Sequence, residues 1–203
     1  LSHFWEHIKD HVSFQIINGS TGATGDFTAA IGDGAFSAKL ENGTYELSNF
    51  ELVEKGKKDV LISLPVLTVE GIGADLGTRE INVEMIRAAD AKIKSWLSAD
   101  GTFGLQNLFL PDLEKLRAEK ASDATEPETA PAKQWQVTLE KMEATNWGLA
   151  LEDRTLKKPA RMTVDDLNVS AENFSTKKGS QANVGIAIGT GTDIAMEASD
   201  VKL

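Results

Sequence analysis

The chain has 203 residues, with 31 acidic against 21 basic side chains and a formal net charge of −10. That balance repels phosphate backbones, and no cluster of Lys and Arg offsets it, so nucleic acid is excluded as an expected partner. Cysteine is absent, which removes disulfides, thiolate metal sites and thiol nucleophiles, and the longest apolar runs, such as VLISLPVL at 60–67, fall far short of the roughly 20 residues a membrane-spanning helix needs.

In chain order, SHFWEHIKDH (2–11) reads as a short helix capped by Ser2, with Phe4, Ile8 and Trp5 at helical spacing. The chain opens on Leu1 without a basic-then-apolar leader, so it reads as a fragment whose targeting segment was cut away. VSFQII (12–17) alternates Val12, Phe14 and Ile16 on one side as a half-buried strand. FSAKL and TYELSNFEL read as two further strands, and Asn42-Gly43 between them predicts a two-residue hairpin turn, because both residues tolerate positive φ. Glycine pairs such as Gly71/Gly73 and Gly189/Gly191 fall beside strand patterns and predict bulges and a curved sheet. Residues 79–98 have helix-friendly composition, yet Ala89, Ala91, Ile93, Ser95 and Leu97 alternate with Asp90, Lys92, Lys94 and Trp96, so two strands are expected there, followed by a turn at Asp100-Gly101.

A second helix is expected within 104–120, where Leu105, Leu108, Phe109, Leu113 and Leu116 form one stripe and Pro111 marks a break. The Ala-, Glu-, Thr- and Pro-rich stretch 121–134 offers little to bury and predicts a flexible linker. The expected organisation is therefore a β-rich unit at 1–120, the linker, and a second β-rich unit at 135–203 that continues the same sheet. The fold class is mainly β (α+β): an elongated, twisted antiparallel sheet with one or two short helices. The phrase at 149–174, strand then charged turn then strand, resembles that at 50–76; an offset of 98 places Met162 on Leu64, Val164 on Val66 and Leu167 on Val69. This is either a repeated β unit or ordinary meander.

The segments ADLGTREINVEMI, DGTFGLQNLF and LEDRTLKKPARMTVDDLNV, in that order across roughly residues 45–175, resemble the AsmA-related family described as domain of unknown function 748. The resemblance implies a periplasmic section of a large Gram-negative envelope protein, anchored to the inner membrane elsewhere in its chain and implicated in outer-membrane integrity and lipid traffic. It implies no catalytic residue and no cofactor.

The apolar-face or lipid-contact candidates are Leu64, Val66, Val69, Ile81, Val83, Met85, Val137, Leu139, Leu149, Leu151, Met162, Val164, Leu167 and Val169. They line either an open groove for a phospholipid or other acyl chain, or the closed core of a structural module that recruits neighbouring repeats. His3, His7 and His11 are the only histidines; His3 and His7 would share a helix face able to hold a transition metal, but no third ligand is fixed beside them and an exposed stripe is the expected reading. The acidic pairs Glu152-Asp153 and Asp165-Asp166 would support glycoside chemistry only if they met across a cleft, and otherwise solvate a turn and a strand. The asparagines of NGS, NGT, NVS and NFS are expected at turns or strand ends. No enzyme activity is expected.

Overall fold

The structure is a computed structural model and describes residues 12–32, 35–109, 134–156 and 158–189. One sheet contains all eight strands: β1 (Phe14–Gly32), β2 (Ala35–Glu54), β3 (Val60–Asp75), β4 (Glu80–Ala89), β5 (Lys92–Leu97), β6 (Gln136–Asp153), β7 (Ala160–Ser175) and β8 (Asn183–Ile188). Their order is β1-β2-β3-β4-β6-β7-β8, with β5 continuing the line of β4 between β3 and β6. The one helix among the described residues, α1 (Gly104–Phe109), follows a turn closed by the Gly101 amide on the Ser98 carbonyl. The fold is mainly β, as the alternating patterns predict. The expected helix at 2–11, with His3 and His7, lies outside the described residues, as do residues 110–120 of the second helix and the stretch 121–133.

Two departures from the expected topology have clear causes. Asn42-Gly43 is not a hairpin turn: both residues lie inside β2, which runs unbroken from Ala35 to Glu54. A turn of that type needs positive φ at both central residues. Here only Asn42 has it (φ 51°), and the result is a bulge, with the register against β3 shifting on both sides of Gly43. Gly43 is required there because a Cβ would stand 2.8 Å from the Ile72 carbonyl oxygen. The second departure is that the sheet is not antiparallel throughout. β6 returns to the sheet parallel to both β4 and β5, pairing Glu80 with Gln136 at one end and Leu97 with Asp153 at the other. Two antiparallel meanders thus meet along a parallel seam. That seam also explains why residues 79–98 are strand: pairing with β3 and β6 outweighs a helix preference of a few tenths of a kcal/mol per residue.

β1, β2, β3, β6 and β7 are long, and each contains at least one residue at positive φ. Asn49, Asp90, Asn146 and Asp166 lie at one level across β2, the β4–β5 junction, β6 and β7, while Asn42, Gly71 and Asn173 lie at another. Asn and Asp tolerate this conformation better than other side-chain-bearing residues because their short polar groups bond locally. The seam shows it: Asn146 Nδ2 donates to Asp90 Oδ1 at 2.6 Å, the Asp90 amide donates to the Thr145 carbonyl, and Asn168 Oδ1 accepts the Asn146 amide. The asparagines of NGS, NGT, NVS and NFS therefore sit within strands at or beside bulges, and not at chain turns; Asn18 bonds its neighbour's amide in β1 and Asn168 bonds the Asp166 carbonyl in β7.

Among the described residues the packed core is small. Phe14, Leu52, Leu61 and Leu108 are buried together, with Ile16, Phe50, Ile62, Trp96 and Leu105 against them, so α1 covers the sheet only at the end where β1 begins. Replacing Asn146 with Ala removes the bond to Asp90 and forces an alanine into positive φ, which together should cost about 2 kcal/mol. Asn146→Gly should recover roughly half of that in denaturant melts, because glycine adopts the conformation freely; equal losses for Ala and Gly would show that the bend is not held by this backbone conformation.

Candidate functional site

Residues paired across adjacent strands present their side chains on the same face, so the register reads out which residues share a surface. Six successive strands place Tyr45, Val69, Ile86, Met142, Ala171 and Val184 in one row, and Leu47, Leu67, Ala88, Ala144, Val169 and Ile186 in the next. Towards one end, Phe27, Leu40, Ala74, Ile81 and Val137 align across five strands, and Val83, Leu139 and Phe174 across three. Towards the other end come Trp147, Leu167 and Ile188, then Ile16, Leu52, Ile62, Ile93, Leu149 and Val164, and finally Leu151 with Met162.

These rows lie on one face. A Cβ at Gly43 would touch both Leu40 and Ile72, which joins the Leu40 row to the Gly43 level across the Asn42 bulge. Gly43, Tyr45 and Leu47 then alternate regularly, as do Val169 with Leu167 and Trp147 with Leu149 and Leu151, since no residue between them has positive φ. The Trp147 indole N–H donates to the Ala88 carbonyl at 3.1 Å, which ties the two sides of the bend together. From Val137 to Leu149 along β6 the face extends about 40 Å at the usual rise per residue. Among the described residues nothing but α1 packs on it, and Phe27, Met162, Phe174, Ile186 and Ile188 are exposed.

The sequence-derived candidates divide between the two faces. Val69, Ile81, Val83, Val137, Leu139, Leu149, Leu151, Met162, Val164, Leu167 and Val169 fall in the apolar rows, and Leu64 pairs with Phe50 beside the packed core. Val66 and Met85 do not. Val66 pairs with Ser48 and Ala89, and Met85 with Glu70 and Lys141, so both belong to the opposite, polar face. The alternation is reset between Leu64 and Val66, opposite Asn49 of β2, and between Val83 and Met85, opposite Gly71 of β3. The face was also larger than period-two reading found: it includes Leu67, Ile86, Ala88, Met142, Ala144 and Trp147. The missed signal is a spacing of two then three, as in Ile62, Leu64, Leu67, Val69, Ile72, Ala74 and again in Val137, Leu139, Met142, Ala144, Trp147, Leu149.

The polar face bears a chain of alternating charge across four strands. Arg87 reaches Glu70 at 2.8 Å and Glu143 at 3.8 Å; Lys141 reaches Glu143 at 2.8 Å and Glu172 at 3.9 Å. The hydrogen bond from Lys141, with its charge, holds the Glu143 carboxyl below its ordinary value, and Glu143 holds Lys141 above its own. The depressed Glu143 favours the fold above the ordinary carboxylate pKa, and that contribution is lost as pH falls through the folded value; the Lys141 contribution is lost only as pH rises through its raised value.

At the end of the sheet where β2, β5 and β6 finish and β7 starts, a cleft of about 440 Å³ is lined by residues that include Lys57, Lys94, Trp96, Leu151, Arg154, Arg161 and Met162. The Arg154 guanidinium lies 4.6 Å above the Trp96 ring. The acidic pairs lie at different levels of the β6–β7 ladder: Glu152 and Asp153 pair with Arg161 and Ala160, while Asp165 and Asp166 lie beside the Trp147–Leu167 pair. Glu152 is held between Arg154 (3.5 Å) and Arg161 (3.9 Å), while hydrogen bonds from Thr155 to Asp153 lower its pKa. Asp166 occupies a bulge and accepts the Gly189 amide on its carbonyl. Among the described residues no three His, Asp or Glu side chains converge to hold a metal, and no helix is long and apolar enough to cross a membrane.

No family model, curated protein or solved structure matches the chain. The polar-face network is directly testable. In Lys141→Gln the Glu143 side-chain titration, followed by carbon-detected NMR, should move upward towards the ordinary carboxylate value. An unchanged midpoint would show that the pair does not form in solution.

Proposed function

We propose that this sheet is a noncatalytic lipid-handling wall, a periplasmic section of an AsmA-like envelope protein that shields or relays acyl chains in maintaining the outer membrane. The observation that carries this reading is the continuous apolar face, in which rows of aliphatic side chains cross up to six strands without a covering layer among the described residues. An apolar surface of that extent is costly in water unless something occupies it. Its length exceeds that of an acyl chain, and its width across several strands admits more than one. The opposite face, with its alternating charges, is suited to water. The open face favours a groove over the alternative of a sealed structural module, whose apolar residues would be buried against a second layer.

The test is photocrosslinking of radiolabelled phospholipid to the full chain, with thermal melts of each variant. Val169→Asp and Met142→Asp place a carboxylate on the apolar face and should reduce crosslinking at least tenfold, since an unpartnered charge against acyl chains costs several kcal/mol. Val66→Asp, on the polar face beside Ser48, should crosslink like the parent, as should Asp165→Asn. Absence of crosslinking to the folded parent would sink the lipid reading; loss confined to variants that also unfold would leave the structural module standing.

A further inference from the structure

We propose that the β1–β2 ribbon is a membrane-docking edge, which lies side-on in the interface of a zwitterionic bilayer and brings the apolar face to the surface that supplies its lipid. The supply of lipid rests on the lipid-handling reading; the docking does not. Beyond the corner where the Leu76 amide donates to the Ala38 carbonyl, β3 has ended and only β1 and β2 continue. The ribbon therefore projects as two strands for about 10 Å at the usual rise per residue. Its pairs Phe27–Leu40, Ala29–Ala38 and Ile31–Phe36 follow one another without a register shift or a positive φ. Leu40 belongs to the apolar rows, so all six residues share that face. Ile31 is 82% exposed, Phe27 68% and Phe36 57%.

The chemistry of both faces favours a bilayer over a protein. From Phe27 to Ala38 the sequence FTAAIGDGAFSA contains one charged residue, Asp33, in a chain in which 26% of residues are charged. The face opposite Phe27 and Ile31 carries Thr28, Ala30 and Ser37, and the Ser37 hydroxyl donates to the Ala30 carbonyl at 3.3 Å. Charge returns at Lys39, which lies between Glu41 and Asp75. A protein partner, or a second copy of this chain, would cover the apolar face and leave the other in water, where charged side chains are favoured. A lipid interface surrounds both faces, and small hydroxyl and methyl groups fit it.

The backbone sets the depth. Among the described residues β1 has no strand on its outer side from Phe27 to Gly32, and β2 has none beyond Ala38 except β1. Their outward N–H and C=O groups would be costly in hydrocarbon, whereas water and headgroups satisfy them in the interface. A carboxylate at residue 33 is costly in hydrocarbon for the same reason. Phe27, Ile31 and Phe36 thus enter the acyl boundary while the strands stay at headgroup level. The net charge of −10, with Asp26 and Glu41 near the ribbon against Lys39, disfavours an anionic surface.

The full chain should cosediment with phosphatidylcholine vesicles, and partial replacement of that lipid by phosphatidylglycerol should weaken binding at low salt, with added salt restoring it. Ile31→Ser and Phe36→Ser combined should reduce vesicle binding at least tenfold while leaving the thermal melt, and crosslinking of detergent-dispersed phospholipid, unchanged. Because the chain has no cysteine, Ala38→Cys carrying an environment-sensitive fluorophore reports on the ribbon alone. On vesicles its emission should shift to the blue and be quenched more by a nitroxide near the headgroup than by one deep in the acyl chain; Lys58→Cys, in the β2–β3 turn at the other end of the sheet, should not respond. A folded parent that crosslinks dispersed phospholipid but ignores vesicles would overturn the docking edge and leave the lipid-handling reading intact, as would vesicle binding indifferent to the Ser pair. Dimerisation abolished by the Ser pair, without vesicle binding, would overturn it in favour of a second copy. Vesicle binding through the ribbon without any crosslinking to the face would uphold the docking edge and overturn the lipid-handling reading.

Discussion

A strand that must keep its apolar side chains on one face while curving depends on re-phasing its own alternation. Here the bulges perform that task. Each residue at positive φ inverts the pleat, so apolar residues that would swing to the polar face after two or three positions return to the same side. Asn and Asp serve at most of these points because their side chains bond neighbouring backbone or one another, as Asn146 does with Asp90 across the parallel seam. The bends lie at common levels on adjacent strands, which allows the ladders to continue through them. Were a single strand to lack its bulge, its next apolar pair would face water and its charged neighbours would enter the apolar rows.

The parallel seam is the second constraint. β6 reaches the sheet alongside β4 and β5 over its whole length, so the two meanders share one uninterrupted surface and are not separate bodies with independent cores. On the polar side the Arg87–Glu143 ion pair crosses the seam, and at this exposure it is weak. Its value is in register: like charges placed opposite one another would disfavour a slipped pairing, while the observed alternation fits the native one.

Among the described residues the sheet is a single layer with a small packed core, which distributes stability unevenly. The buried cluster around Phe14, Leu52, Leu61 and Leu108 anchors one end, and beyond it the described sheet relies on long ladders. The β1–β2 ribbon goes further: it continues to the Gly32–Ala35 pair, past the last β3 partner at Asp75, and leaves Phe27, Ile31 and Phe36 exposed. On the proposed reading, function and stability are coupled on this face, because a lipid that covered it would also remove apolar surface from water.

The sequence by itself determined the class of structure and most of the face. Alternating patterns identified strands, the charge-rich turn before Pro159 separated β6 from β7, and eleven of the lipid-contact candidates stand in the apolar rows, because burial on one side of a strand leaves a local imprint of period two. What it did not reveal is where that period is reset. Asn42-Gly43 carries the same local signal whether the chain turns back or merely bulges, and only the pairing of β2 with strands on both sides decides for the bulge. Val66 and Met85 look identical in pattern to Leu64 and Val83, yet they cross to the polar face because the pleat inverts beside them. The parallel seam was equally invisible, since strand direction depends on how residues far apart in the chain pair. Local chemistry fixes which residues can be strand; the tertiary structure alone decided which side of the sheet each one faces, because that depends on neighbours the sequence does not place beside it.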